Sequence, residues 1–292
     1  RISFQRFLGL TLECRAPDRT TIWLFREMLT KSGMLEKLFE KFNNYLNEQG
    51  YKAKEGQIID ARIIEVPKQR NTRDENKQIK SGETPEQWSK NKSRQKDTQA
   101  RWTKKNNKNF YGYKNHICVD KKYKFIRRHK VTDASTHDSQ AFCNIVDPNN
   151  TSADLYADSA YRSSKFEDAL KEKGYKSKIH FKSSRNKPLC HNQIKANKSR
   201  SKIRAKVEHV FGHQVNSMSA TIIRTIGLKR AQSKIILTNL TYNMKRFIFL
   251  VCLMVSASCY AQVLEQVVRG TITDKETLQP IIGAKVEVLN SD

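Results

Sequence analysis

A carboxylate stands in the middle of the most strand-like run of this sequence. Residues 58–64, IIDARII, are dense in β-branched side chains, follow Gly56 and stop before Pro67, which predicts a buried strand rather than a helix. Asp60 lies inside that run. An ionised carboxyl there is costly unless something pairs with it, and any fold of this chain has to meet that requirement.

Two other acidic residues sit in segments that suit the same demand. Asp158 follows the short apolar run Leu155-Tyr156-Ala157, and the Ser163-Ser164 pair just beyond it is suited to cap a helix, so Asp158 is expected at the C-terminal end of a strand. Glu208 lies in a stretch with Ile203, Val207, Val210 and Phe211 at helical spacing, which puts Arg204 one turn before it and turns its face toward the sheet's edge. Two strand carboxylates and one helix carboxylate are what a hard divalent cation such as Mg²⁺ takes, since it prefers oxygen ligands and keeps positions open for water and phosphate. A pair of such ions activates an attacking oxygen and stabilises a leaving one. The plainer reading is that Arg204 and Glu208 form an ordinary surface pair at i, i+4, worth about a few tenths of a kcal/mol. Spacing alone leaves the two readings level.

Charge tips the balance. The chain of 292 residues carries 55 Lys+Arg against 29 Asp+Glu, a formal charge of +26, which implies a polyanionic partner and foremost nucleic acid. Residues 68–108 hold 13 Lys/Arg and 5 Asp/Glu, with Trp88 and Trp102 among them, and residues 184–206 hold eight Lys/Arg and no acid. Basic side chains displace counterions from phosphates and interleaved aromatics stack on bases. The candidate DNA contacts are therefore Trp88, Trp102, Arg162, Arg200, Lys202, Arg204 and Lys206. The competing description of 68–108 is a solvated or disordered loop.

The order of elements is that of an α/β domain with a mixed sheet. Residues 1–50 read as helical with a break near Ser32-Gly33. After the Asp60 strand and the basic insertion, Phe110–Val119 and Tyr123–Val131 suit a hairpin turning at Asp120-Lys121-Lys122. A helix after Asp138, the Asp158 strand, a helix from about Ser164 to Lys173 ended by Gly174, and a short strand through Ile179 and Phe181 follow. His116, His137 and Asp138 suit packing and capping as well as any role beside the carboxylates. His209 and His213, with Cys190 and His191 upstream, have poor spacing for zinc. The six cysteines form no CxxC pattern, which fits reduced thiols in a cytosolic protein.

The segments IDARIIEVP, GYKNHICVD, VTDASTHDSQ, YADSAYRS and IRAKVEHVFGH, in this order, resemble the successive blocks of DDE-type bacterial insertion-sequence transposases, the group named after insertion sequence five. RISFQRFLGL and PDRTTIWLFRE resemble that group's N-terminal region. The resemblance covers about residues 1–250. It implies a ribonuclease-H-like fold with flanking helices, Asp60, Asp158 and Glu208 as catalytic metal ligands, and Mg²⁺ or Mn²⁺, two ions, as cofactor. It also implies double-stranded DNA, both transposon ends and target, as partner, cleavage at the ends followed by strand transfer, and a homo-oligomer on DNA in the cytoplasm, associated with the nucleoid. The alternative is a non-catalytic DNA-binding remnant, because the chain opens at Arg1 and its beginning is expected to be missing.

The end of the chain departs from that pattern. Residues 244–262, MKRFIFLVCLMVSASCYAQ, have a basic start, an apolar run and small residues, the layout of a secretory signal peptide, although the same stretch also resembles the family's last helix. The apolar stretch is short for a membrane span. Residues 263–292 resemble the first strands of a carboxypeptidase-regulatory-like β-sandwich of outer-membrane receptors. The expected organisation is a helical region at 1–50, a catalytic domain at 51–250 with a basic insertion at 68–108, the signal-like segment at 244–262, which is expected not to act in a fused chain, and a β-sandwich fragment at 263–292.

Overall fold

The Asp60 run forms the strand around which the rest of the sheet assembles. In the computed structural model, which describes residues 2–11, 14–184, 187–260, 270–283 and 285, two units are distinguished, 1–248 and 249–292. The chain runs α1 (Ile2–Phe7), α2 (Arg19–Ser32), α3 (Met34–Glu48), β1 (Gln57–Glu65), α4 (Arg73–Ser81), α5 (Lys90–Gln95), β2 (Arg101–Lys105) and β3 (Lys108–Asp120). It continues with β4 (Ile126–Asp133), α6 (Asp138–Ile145), β5 (Asp154–Tyr156), a 3₁₀ turn (Ser159–Tyr161), α7 (Ser164–Glu172), β6 (Lys176–Ser177), α8 (His191–Asn216) and α9 (Leu228–Tyr260).

The sheet is mixed, as the order of elements predicts. β3 pairs antiparallel with β1 on one side; on its other side it meets β2 with its first residues and β4 with its last. Beyond β1, β5 and then β6 add in parallel. Parallel strands need crossover connections; α6 and α7, which lie in them, cover one face of the sheet, and α3, α8 and α9 cover the other. Alternation along the strands sorts the core. Ile58, Ile117, Val119 and Ile126 pack with Leu35 and Phe39 of α3, Val207, Val210 and Phe211 of α8, and Ile236 and Tyr242 of α9. Ile59, Cys118, Leu155 and Ala157 face the other way, onto Phe142 and Ile145 of α6 and Leu170 of α7. A third cluster joins Ile64, Tyr111, Tyr113 and Val131 to Ala231 and Ile235 of α9.

Local chemistry sets several boundaries where the sequence places them. Asp18 accepts the N–H of Thr21 to start α2, Gly33 at φ +65° separates α2 from α3, and Ser163 caps α7 by accepting from Phe166. The β3–β4 turn is longer than expected. The Asp120 carboxylate accepts the N–H groups of Tyr123 (2.7 Å) and Phe125 (2.9 Å) and meets Arg127 Nε at 3.3 Å, which draws residues 121–125 into the turn, so β4 begins at Ile126 and not at Tyr123. Burial pushes that carboxyl's pKa up, and Arg127 pulls it back. The strand expected through Ile179 and Phe181 is reduced to Lys176–Ser177, followed by single bonds from the Lys178 and His180 N–H groups to the Leu155 and Ala157 carbonyls. Phe181 leaves the sheet because the Asn197 side chain takes both its N–H and its C=O.

The basic insertion is ordered structure and not a solvated loop. Thr72 and Glu75 form a capping box at the start of α4. Glu75 also accepts from Lys92 Nζ (2.8 Å) and Trp88 Nε1 (2.6 Å), and these contacts, Lys92 first, hold its carboxyl down at about 2. Asp97, fully buried, accepts from the Tyr113 hydroxyl (2.8 and 2.9 Å) and from the N–H groups of Gln99, Ala100 and Gly227, which fastens the insertion to β3 and to the start of α9. α2 is tied to α9 by a two-pronged pair between Glu27 and Arg230 (2.8 and 2.9 Å).

In the second unit the helix continues to Tyr260, and Thr273 bridges Pro280 about a turn in which Asp274 accepts from the Glu276 and Thr277 N–H groups. Half of the expected β-sandwich fragment, 263–269, 284 and 286–292, lies outside the described residues. No described helix is long and apolar enough to cross a membrane.

Gly56 lets β5 approach β1. Its φ is +102°, and a Cβ there would meet the Asp154 carbonyl oxygen at 2.7 Å. Gly56→Ala is expected to lower unfolding free energy by roughly 1–3 kcal/mol or more through strain and overpacking, read as a fall in the urea midpoint at unchanged slope. An unshifted midpoint would show that the close approach is not required.

Candidate active site

Strand register brings the first two carboxylates together. β1 and β5 pair in parallel with Gln57 opposite Leu155 and Ile58 opposite Tyr156, and the same register carried two residues further sets Asp158 beside Asp60. Neighbouring strands lie about 4.8 Å apart, so carboxylates at matching positions are close without any loop having to reach. Asp158 is past the end of β5, where its Oδ1 accepts the Ser159 N–H at 2.6 Å and caps the 3₁₀ turn. Asp60 Oδ1 accepts the N–H of Ala61 at 2.8 Å.

One guanidinium serves both acids. Arg204 of α8 donates from one terminal nitrogen to Asp60 Oδ2 at 3.1 Å, and its other terminal nitrogen stands 3.6 Å from Asp158 Oδ1. The Asp60 and Arg204 side chains are 18% and 12% exposed and Asp158 is 46% exposed, so the site opens to solvent at Asp158. Burial raises the pKa of Asp60, against the opposing pull of Arg204, the Ala61 N–H and Lys105.

Glu208 does not join them. It is exposed on α8, one turn beyond Arg204, while Val207 and Val210 on either side of it face the core. Among the described residues no group of three or more His, Cys, Asp or Glu side chains stands close enough to hold a metal ion. What is assembled is a pair of oxygen donors converging on one cationic group, which suits a hard cation in charge and donor type.

His180 is the neighbour that the sequence did not reveal. Its Nδ1 lies 3.8 Å from Asp158 Oδ1, and the His180 N–H bond to Ala157 is what sets it beside that strand end. Burial, then Arg204, hold its pKa down, against Asp158. A lone histidine in KIHFKSS carries no motif, and only the continuation of the β5–β6 ladder places it.

The basic candidates divide into two kinds. Arg162 and Arg200 both stand over the Phe181 ring, at 4.2 and 4.5 Å, and both donate to the Ile179 carbonyl, so they brace the segment that carries His180. Lys206 donates to the Lys121 carbonyl at 2.9 Å, and Lys202 is exposed. Trp88 departs from the expectation of a stacking ring: it is 8% exposed, with Lys92 and Lys96 over its face, and forms the core of the insertion. Trp102 is 45% exposed and leans on Tyr111.

The family model for the transposase DDE domain matches residues 51–244. The chain belongs to the DDE-domain transposases. The match takes in β1, the basic insertion, β5 and α8, and therefore Asp60, Asp158 and Glu208. Among solved structures this DDE-domain transposase is similar to piggyBac transposase, seen by cryo-EM in a synaptic complex with hairpin DNA, at a TM-score of 0.36 and 10% identity over 64% of this chain. The comparison spans 45% of the piggyBac chain.

Behind the sheet from the acids lies a second polar group. His116, paired with Ala61 across the strands, places Nε2 2.9 Å from the Thr132 hydroxyl, and Lys114 meets Asp138 at 2.9 Å. The buried Tyr161 hydroxyl has no hydrogen-bond partner, and burial, then Asp138 and Asp60, raise its pKa well above the ordinary value.

Burial holds His116 down at about 4, and Lys114 adds to the depression against the pull of Asp138. The unfolded chain takes up that proton near pH ~6.5, so stability from this group is complete above that value and is lost as pH falls through about 4. Between pH 7 and 4 the loss is expected to reach about 2–3 kcal/mol, and His116→Gln should remove that part of the slope. Parallel stability profiles for the two proteins would show that His116 is not buried neutral.

Proposed function

We propose that this chain is a transposase of the insertion sequence five group that binds insertion-sequence ends and carries out metal-dependent strand cleavage and strand transfer. The observation that carries this reading is the convergence of Asp60, inside β1, and Asp158, just past the end of the parallel β5, on the Arg204 guanidinium within the matched DDE domain. Residue types and reaction agree. Breaking a phosphodiester requires neutralisation of the charge on the phosphate and no protein nucleophile, so carboxylates would serve by holding the cations that supply it.

In this reading Asp60, Asp158 and Glu208 hold Mg²⁺ or Mn²⁺. When bound, two such ions supply an activated attacking oxygen and stabilise the leaving oxygen. Asp60 gives a fixed donor from the sheet, and Asp158 gives one at the mouth of the site. Glu208, exposed on α8 and apart from that pair, would have to be brought to it to complete the set. The attacking oxygen belongs to water in cleavage and to the freed 3′-hydroxyl in joining. Lys202 and Trp102 are exposed for contact with the DNA backbone and bases.

The catalytic domain is assigned to 51–250, acting as a homo-oligomer on paired ends in the cytoplasm and associated with the nucleoid. Residues 1–50 form its helical N-terminal region, 244–262 a signal-like segment that does not act in the fused chain, and 263–292 a β-sandwich fragment.

Asp60→Ala, Asp158→Ala and Glu208→Ala are each expected to reduce nicking of end-containing DNA in Mg²⁺ or Mn²⁺ by at least about 100-fold, with DNA binding in a gel-shift assay retained. Retained nicking in any one of them would remove that residue from the metal set. Binding without nicking by the unmodified chain would favour the second reading, a DNA-binding remnant, for which the separation of Glu208 from the acid pair is the structural motive.

A further inference from the structure

Resting on the metal-dependent reading above, we infer that Arg204 is a positioning residue that stands in for the divalent cation in the metal-free protein: it holds Asp60 and Asp158 convergent and has to leave them when a metal ion binds between them. Three observations carry this. The guanidinium spans both carboxylates, at 3.1 and 3.6 Å, so it occupies the direction from which an ion shared by the two would approach. Its Nε is buried without a partner, so no hydrogen bond there fixes the side chain in its present orientation. It comes from the helix that also carries Glu208, four residues on, so a turn of the Arg204 side chain away from the acids takes place beside the third carboxylate.

The physical logic is that of like charges at short range. Asp60 and Asp158 repel one another, Asp60 is poorly solvated, and an unpaired charge there would destabilise the fold or push the strand ends apart. A planar guanidinium meets two separate oxygens with its two terminal nitrogens, which a lysine ammonium, a single point of charge, does less well. A metal ion that binds both carboxylates takes over this role and frees Arg204 for an anion. The site is then preformed without metal, and metal affinity is reduced by what it costs to displace the arginine.

The test measures Mn²⁺ binding to the full chain without DNA, by calorimetry and by the loss of the free Mn²⁺ electron-spin-resonance signal, together with thermal melting in chelator and in Mn²⁺. Arg204→Gln is expected to bind Mn²⁺ on the order of tenfold more tightly than the unmodified chain, because nothing has to be displaced. It is also expected to melt lower in chelator and to recover more on Mn²⁺ addition. Arg204→Lys, which keeps the charge and tests the same point if the Gln variant does not fold, should fall between them. Equal or weaker Mn²⁺ binding by both variants overturns the inference, and the metal-dependent reading then still stands if Asp60→Asn abolishes Mn²⁺ binding. Mn²⁺ binding unchanged by Asp60→Asn overturns both.

Discussion

A carboxylate in the central strand of a sheet has to be met by positive charge, and in this chain the arrangement of β1, β5 and α8 follows from how that is done. Asp60 is fixed by β1, and the parallel register of β5 puts Asp158 next to it. Two acids at that spacing create a need that backbone N–H groups at the strand end meet only in part. Arg204 meets the rest, and it is carried there on the sheet-facing side of a helix, the same side on which Val207, Val210 and Phe211, in the turns after it, are buried against Ile58 and Ile117. Apolar packing therefore sets the electrostatics: the residues that dock α8 also decide which cation faces the acids.

Three carboxylates, the buried Asp97 and Asp120 and the half-buried Asp60, are satisfied differently. Asp97 is met by a tyrosine hydroxyl and backbone N–H groups, and Asp120 by two backbone N–H groups and Arg127. Most of these donors are backbone N–H groups, which the fold itself fixes. Asp60 has one backbone donor, from Ala61, and otherwise depends on a side chain that crosses from another element. A partner of that kind can be exchanged. That difference, more than burial, sets Asp60 apart from the other two.

Much of this was legible in the residues. The strand around Asp60 follows from β-branched density between Gly56 and Pro67, the α2–α3 break from Gly33, and the start of α7 from Ser163, because each rests on a short-range preference that tertiary contacts did not override. Other expectations failed where a distant group intervened. Trp88 looks like a ring offered to a base among lysines, yet Glu75, thirteen residues before it, takes its N–H and draws it inside. Phe181 looks like a strand residue, yet Asn197 takes both of its peptide groups. Helical spacing places Glu208 near Arg204 correctly, but the side chain is exposed, since spacing gives the angle around a helix and not what lies opposite it.

By itself the sequence determined the charge of the protein, the existence and type of most elements, and the blocks by which the chain belongs to its family. Each is local: a preference of a few residues, or a sum over all of them. Only the tertiary structure decided that Asp60 and Asp158 lie side by side, that Arg204 serves both, and that His180 stands at the strand end with them. Parallel strands separated by the basic insertion, three antiparallel strands and a helix have no turn to fix their alignment, so their register is set by packing on both faces of the sheet, and no short stretch of residues encodes it.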